Sequence, residues 1–129
     1  MALILLRHTT PQVAEGICYG QTDLSLAGSF ESEAQAALDT LPEFEAIITS
    51  PLERCRQLAD FIGLQTNLNV TEDTRLMEMD FGAWEGVAWD DIPRDEIDEW
   101  AEDILHARPH GGESVAMLRD RSRTALKGW

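Results

Sequence analysis

The chain opens on an unbroken apolar run, Ala2-Leu3-Ile4-Leu5-Leu6, that ends in Arg7-His8 and the turn signal Thr9-Thr10-Pro11. A continuous apolar run of this length predicts a strand over residues 2–6 buried on both faces, because a half-exposed strand would alternate. Residues 9–25 are polar, with Pro11, Gly16 and Gly20, and predict a loop. Phe30, Ala34, Ala37 and Leu38 recur at helical spacing and predict a helix over 27–40. Glu45-Ala46-Ile47-Ile48-Thr49 predicts a second buried strand. Ser50-Pro51-Leu52-Glu53 then reads as a helix start, with Ser50 as N-cap, Pro51 at the first helical position and Glu53 completing a capping box. That helix is expected to reach about Ile62, with Gly63 as its stop.

Further along, residues 67–72 predict a third strand, and 74–92 an irregular, aromatic-rich stretch with Gly82 and Gly86. Residues 94–106 predict an acidic amphipathic helix with Ile97, Trp100, Ala101, Ile104 and Leu105 on its inner face. Pro109-His110-Gly111-Gly112 breaks it, and a last helix is expected from Glu113–Ser114 to about Lys127. Strands alternate with helices, without repeats or linkers, which predicts one α/β domain over residues 1–129 with a mostly parallel sheet.

Charge narrows the function classes. The formal net charge is −14, which argues against general nucleic-acid binding or adhesion to an anionic membrane. No run approaches the about 20 apolar residues of a membrane span. Cys18 and Cys55 are too few and too far apart for a disulfide framework or a zinc site, and a cytoplasmic setting is expected. Against this acidity, the scarce positive charges stand out: Arg7 is the only basic residue before Arg54.

Arg7 and His8 are expected at the C-terminal tip of the first strand, where open α/β sheets hold their ligands. An imidazole there can act as a covalent nucleophile toward phosphorus. A neighbouring guanidinium can neutralise the phosphoryl oxygens. Arg54 falls in the first turn of the Ser50-capped helix, where free N–H groups and the helix dipole favour an anion; pairing with a nearby surface acid is the equally weighted alternative. Glu78 is flanked by apolar residues in Leu76-Met77-Glu78-Met79-Asp80-Phe81, and partial desolvation would suit it to give a proton to a leaving group. A solvated surface acid is its alternative.

At these residues the chain resembles the histidine phosphatase superfamily, of phosphoglycerate-mutase-like fold. Leu5-Leu6-Arg7-His8-Thr9 corresponds to its strand-Arg-His-Gly opening, and Ser50-Pro51-Leu52-Glu53-Arg54 to its Ser-Pro-Leu-x-Arg motif. Leu76 to Gly86 matches Leu-x-Glu-x-x-x-Gly-x-x-Glu-Gly, and Gly112-Glu113-Ser114 matches Gly-Glu-Ser before a helix. Within the superfamily the chain looks most like alpha-ribazole phosphatases of cobalamin biosynthesis, on Cys18-Tyr19-Gly20-Gln21-Thr22-Asp23-Leu24, on Cys55, and on Glu78-Met79-Asp80-Phe81-Gly82.

The resemblance implies a three-layer α/β/α sandwich. It implies catalysis by His8 as phosphorylated nucleophile and Glu78 as proton donor, with Arg7 and Arg54 binding phosphate. It makes Thr9 and Gly20-Gln21-Thr22 a candidate substrate loop. The implied ligands are a small phosphorylated substrate and inorganic phosphate, with no metal and no cofactor.

The chain departs from the family pattern in three places. Thr9 stands for the family Gly, and Val13-Ala14-Glu15 stands where the family has an Asn. The family's further strand and second active-site histidine, beyond the helix that begins near Glu113, are not in the sequence, so the domain is expected to be C-terminally truncated. Loss of such a preorganised donor typically lowers rate on the order of a hundredfold or more. A missing interior strand is expected to leave open sheet edges and favour homo-oligomers. His110, in its Gly-rich turn, is the nearest substitute for the absent imidazole but is expected to be a loop residue, and His106 is expected in the end of a helix. Trp84, Trp89 and Trp100 are read as core or as lining for a flat leaving group. Two rival functions stand beside the phosphatase: a phosphoglycerate mutase, and a non-catalytic domain that binds phosphate or a partner.

Overall fold

The computed structural model describes residues 2–129. They form two compact units, residues 2–12 with 23–73 and residues 13–22 with 74–129.

The first unit is built on helix α1 (Phe30–Thr40), strand β1 (Ile47–Thr49), helix α2 (Glu53–Thr66) and strand β2 (Val70–Glu72). β1 and β2 pair in parallel, with Ile47, Ile48 and Thr49 opposite Val70, Thr71 and Glu72. α2 is the crossover that parallel pairing requires. The core of this unit is Ala34, Leu58 and Ile62, with Phe30, Leu38, Leu41, Phe44, Ile47 and Phe61 packed around them. Phe30 and Phe61 meet edge to face at 6.1 Å. The fold class is therefore α/β with a parallel sheet, as the pattern predicts.

The first strand is the main correction. Residues 2–6 carry no strand, and Leu3 and Leu5 stay 56% and 82% exposed. An apolar run records a preference for burial, but a strand also needs an edge to pair with, and among the described residues the sheet holds β1 and β2 alone. α2 starts later and ends later than expected. Leu52 is still extended (φ −60°, ψ 138°) and acts as N-cap, so Ser50 and Pro51 precede the helix. Glu53 accepts from Gln57 instead of closing a capping box. The helix passes through Gly63 and stops at Asn67, which takes the left-handed conformation at φ 58°.

In the second unit, single turns at Thr74–Leu76, Gly82–Trp84 and Trp89–Asp91 lead to helix α3 (Arg94–Glu102) and helix α4 (Val115–Gly128). α3 is shorter than its pattern. The N–H groups of His106 and Ala107 fold back onto the Asp103 carbonyl, so His106 lies in an exposed turn and Ile104 is 48% exposed. α4 starts where expected, with the Ser114 hydroxyl accepting from the Met117 N–H at 3.2 Å. Cys18, Trp84 and Ile92 form the core, with Phe81, Val87, Ile97 and Trp100 against it. Cys18 brings its own segment in, donating to the Val87 carbonyl and accepting from Gly86 N–H. Burial, helped by the nearby Glu85 charge, pushes its thiol up to about 12, which leaves it protonated and unreactive.

Candidate active site

His8 is half-buried, and its Nδ1 lies 2.7 Å from the Thr9 carbonyl oxygen. A carbonyl only accepts, so Nδ1 carries the proton, and in the neutral ring Nε2 then bears the lone pair. That is the tautomer a nucleophilic imidazole needs. The backbone just beyond is held by Glu33 of α1, whose Oε1 accepts from both the N–H and the hydroxyl of Thr10. Its Oε2 accepts from Ser29 at 2.5 Å. These bonds, Ser29's first, hold the Glu33 carboxyl below its ordinary range. The neighbouring segments are tied by Gln12 N–H to Ser25 and Ala27 N–H to Thr10.

Arg7 is exposed, whereas Thr9 is buried, with a hydroxyl that has no hydrogen-bond partner among the described residues. Arg54 is 1% exposed in the first turn of α2. A guanidinium is buried only where its charge is met, so Arg54 is not the exposed helix-surface ion-pair partner of the alternative reading. The helix N-terminus itself is already spoken for in part. Ser50 Oγ accepts from Leu52 N–H at 3.2 Å, and Asp23 Oδ1 accepts from Glu53 N–H at 2.7 Å. Of the anion-binding features expected here, the Arg54 charge carries more weight than the free N–H groups.

In the second unit, Glu78 is exposed, not desolvated as the flanking residues suggest. The chain puts Met79 into the core at 3% exposure and turns Glu78 outward. Its Oε1 accepts from the Met79 N–H at 2.7 Å. The candidate loop is shaped by a residue to which the sequence gives no role. Glu85 Oε1 accepts from Gly20 N–H at 2.9 Å, Thr22 N–H at 3.1 Å and Thr22 Oγ1 at 2.5 Å, while Oε2 accepts from Phe81 N–H. Burial raises the Glu85 carboxyl, but the bonds from Thr22, Gly20 and Phe81 together hold it below its ordinary range. Gly20 is buried, and a Cβ there would overlap the Met79 carbonyl oxygen. Gln21 is half-buried and Thr22 exposed.

His110 lies in the loop expected for it, in a turn, and is 3% exposed. Its Nδ1 accepts from Gly112 N–H at 2.9 Å, and its ring packs edge-on to Trp84 at 4.9 Å. This imidazole holds its own turn. Trp84, Trp89 and Trp100 form one aromatic cluster with Phe81, in which Trp84 donates to Glu96. Among the described residues no group of three or more His, Cys, Asp or Glu is placed to hold a metal ion, and no helix is long and apolar enough to cross a membrane.

The family model for the histidine phosphatase superfamily, branch 1, matches residues 3–129. The chain belongs to this superfamily. It is 35% identical over 127 residues to the glucosyl-3-phosphoglycerate phosphatase of Mycobacterium tuberculosis, a match covering 94% of the chain and 56% of that protein. It is 30% identical over 133 residues to the probable phosphoglycerate mutase GpmB of Salmonella paratyphi C, covering 98% and 61%. A solved mycobacterial glucosyl-3-phosphoglycerate phosphatase superposes with a TM-score of 0.82 at 30% identity, over 94% of this chain and 59% of that one. Its complex with inorganic phosphate gives 0.79 at 31% identity, over 94% and 58%. The chain thus spans little more than half the length of these relatives. They uphold the superfamily, while the subfamily expected from Cys18–Leu24 is not among the relatives named here.

Proposed function

We propose that this chain carries phosphomonoester-hydrolase chemistry through a phosphohistidine on His8. The single observation behind the reading is the His8 Nδ1–H donated to the Thr9 carbonyl in a chain of this superfamily, the tautomer whose neutral ring is nucleophilic at Nε2. In the proposed reaction, His8 Nε2 bonds to the substrate phosphorus as the P–O bond to the leaving group breaks. Glu78 delivers a proton to the departing alkoxide, and water then releases phosphate from His8. Arg54 and Arg7 neutralise the phosphoryl oxygens; stabilising that charge dominates phosphoryl transfer.

The phosphate complex of a mycobacterial relative supports inorganic phosphate as a ligand. The substrate class is a small phosphorylated metabolite. Alpha-ribazole 5'-phosphate is the narrower candidate from the loop sequence, and glucosyl-3-phosphoglycerate is the candidate suggested by the relatives' names. A phosphatase is favoured over a mutase because a mutase also needs cations for a substrate carboxylate. Only ten Lys and Arg are present, and Arg54 is the one among the proposed phosphate ligands that is buried.

The test is hydrolysis of 4-nitrophenyl phosphate by the chain and by His8→Ala, with mass spectrometry for acid-labile phosphate on His8. Turnover that disappears in His8→Ala, together with a phosphorylated wild type, is the expected result. Phosphate binding without turnover or phosphohistidine would replace the hydrolase with the non-catalytic reading. That second reading has one observation in its favour: Glu78, the proposed proton donor, is exposed and not desolvated.

A further inference from the structure

Glu78 is exposed, and its carboxylate is oriented chiefly by the backbone of the segment that carries it. That segment is tied down by one side-chain pair. Arg121 of α4 grips Glu113 as a fork, Nε to Oε2 and Nη2 to Oε1, each at 2.8 Å. The same guanidinium donates through Nη1 to the Arg75 carbonyl at 2.8 Å and through Nη2 to the Glu78 carbonyl at 3.0 Å. Glu113 completes the hold. Its Oε1 accepts from Asp80 N–H at 2.9 Å, and its own N–H donates to the Asp80 carbonyl at 2.8 Å. Both side chains are largely enclosed, at 19% and 16% exposure. Their mutual bond holds the Glu113 carboxyl below and the Arg121 guanidinium above their ordinary ranges. The pair therefore remains charged and bidentate, the geometry in which an Arg–carboxylate contact is most directional.

We infer that Glu113 and Arg121 are positioning residues for the Glu78 carboxyl, fixing the backbone on both sides of it so that its proton is delivered from one place. The inference rests on reading Glu78 as the proton donor. Positioning of this kind acts on the step that needs the acid, and the need grows as the leaving group becomes a poorer one.

The first measurement does not depend on turnover. The Met79 amide proton is hydrogen-bonded to the Glu78 carboxylate, so its NMR shift follows Glu78 protonation, and Glu78→Gln abolishes that titration. In Glu113→Gln and Arg121→Ala the amplitude should fall by half or more, while the Trp84 indole N–H resonance stays in place. An unchanged Met79 titration in both variants overturns the inference. Should Arg121→Ala unfold, Glu113→Gln, which keeps size and one acceptor oxygen, decides alone.

The second measurement compares 4-nitrophenyl phosphate with an alkyl phosphate. Both variants should lose at least tenfold more kcat on the alkyl ester than on the nitrophenyl ester, with KM little changed, as Glu78→Gln does. Equal losses on both esters would mark a purely structural pair and overturn the inference. A wild type inactive on both esters would refute the hydrolase while the Met79 titration still judges the positioning.

Discussion

A hydroxyl buried without a partner destabilises a fold by about 1–3 kcal/mol relative to an apolar group of the same shape. The Thr9 hydroxyl is in that state beside His8. Thr9→Val keeps the β-branch and removes the unmet polar group, so urea unfolding should give greater stability, by about 1–3 kcal/mol. A loss of that size instead would mean that the hydroxyl has a partner in the folded chain. The same residue shows what a sequence reveals at this scale. His8, Arg54 and Glu78 stand out as candidates because each sits at a fixed offset in a motif. Their environments are not legible. The apolar neighbours of Glu78 predict partial desolvation, yet the chain buries Met79 and exposes the acid. The holding roles of Glu33 and Glu85 leave no local signal, because the segments they hold lie 23 and 65 residues away.

Elements were legible where the pattern was long. α1 and α4 match their periodic stretches closely, and β1 and β2 fall inside the runs that predict them. Their ends depend on local geometry that composition does not carry, as the late start of α2 shows. Its Glu53 N–H is met by Asp23, so Asp23→Ala should cost about 1 kcal/mol of unfolding free energy, in the range of lost N-terminal caps. Asp23→Asn, which keeps an acceptor oxygen, should recover most of it; failure to recover would assign the effect to charge and not to the cap. The strand over 2–6 fails for a different reason, since its burial depends on a pairing edge elsewhere in the chain. With Leu5 82% exposed, Leu5→Ser should change stability by less than about 0.5 kcal/mol, as a surface substitution does. A loss of several kcal/mol in a urea melt would place Leu5 in a packed core. Homo-oligomers, expected from the sequence through open sheet edges, would show as a sedimentation-average mass that rises with protein concentration.

At the scale of the whole chain, a net charge of −14 at pH 7 sets up self-repulsion that acid relieves, while several groups with lowered folded-state pKa values oppose that gain. His110 acts first. Its pKa lies below the usual 6.5 chiefly because it is buried, with Arg108 adding to the effect and Asp80 and Glu85 acting against it. The unfolded chain therefore takes up this proton more readily than the folded one. The stability that His110 contributes is complete above pH 6.5 and is lost as pH falls through its folded pKa, by at most about 1.4 kcal/mol per pH unit for one proton. Glu85 and Glu113 follow the same sign below their ordinary value of 4.5. His110→Phe isolates the first effect, because it keeps a ring against Trp84 and Phe81 but cannot titrate or accept from Gly112. Repulsion and the two glutamates are common to both proteins and cancel in the difference. The gap in Tm between wild type and His110→Phe should be constant from about pH 8 to 7 and narrow steadily from 6.5 toward 5. A gap that stays constant down to pH 5 would show that His110 titrates alike in the folded and unfolded chains, and the acid sensitivity of this unit would then lie with its carboxylates.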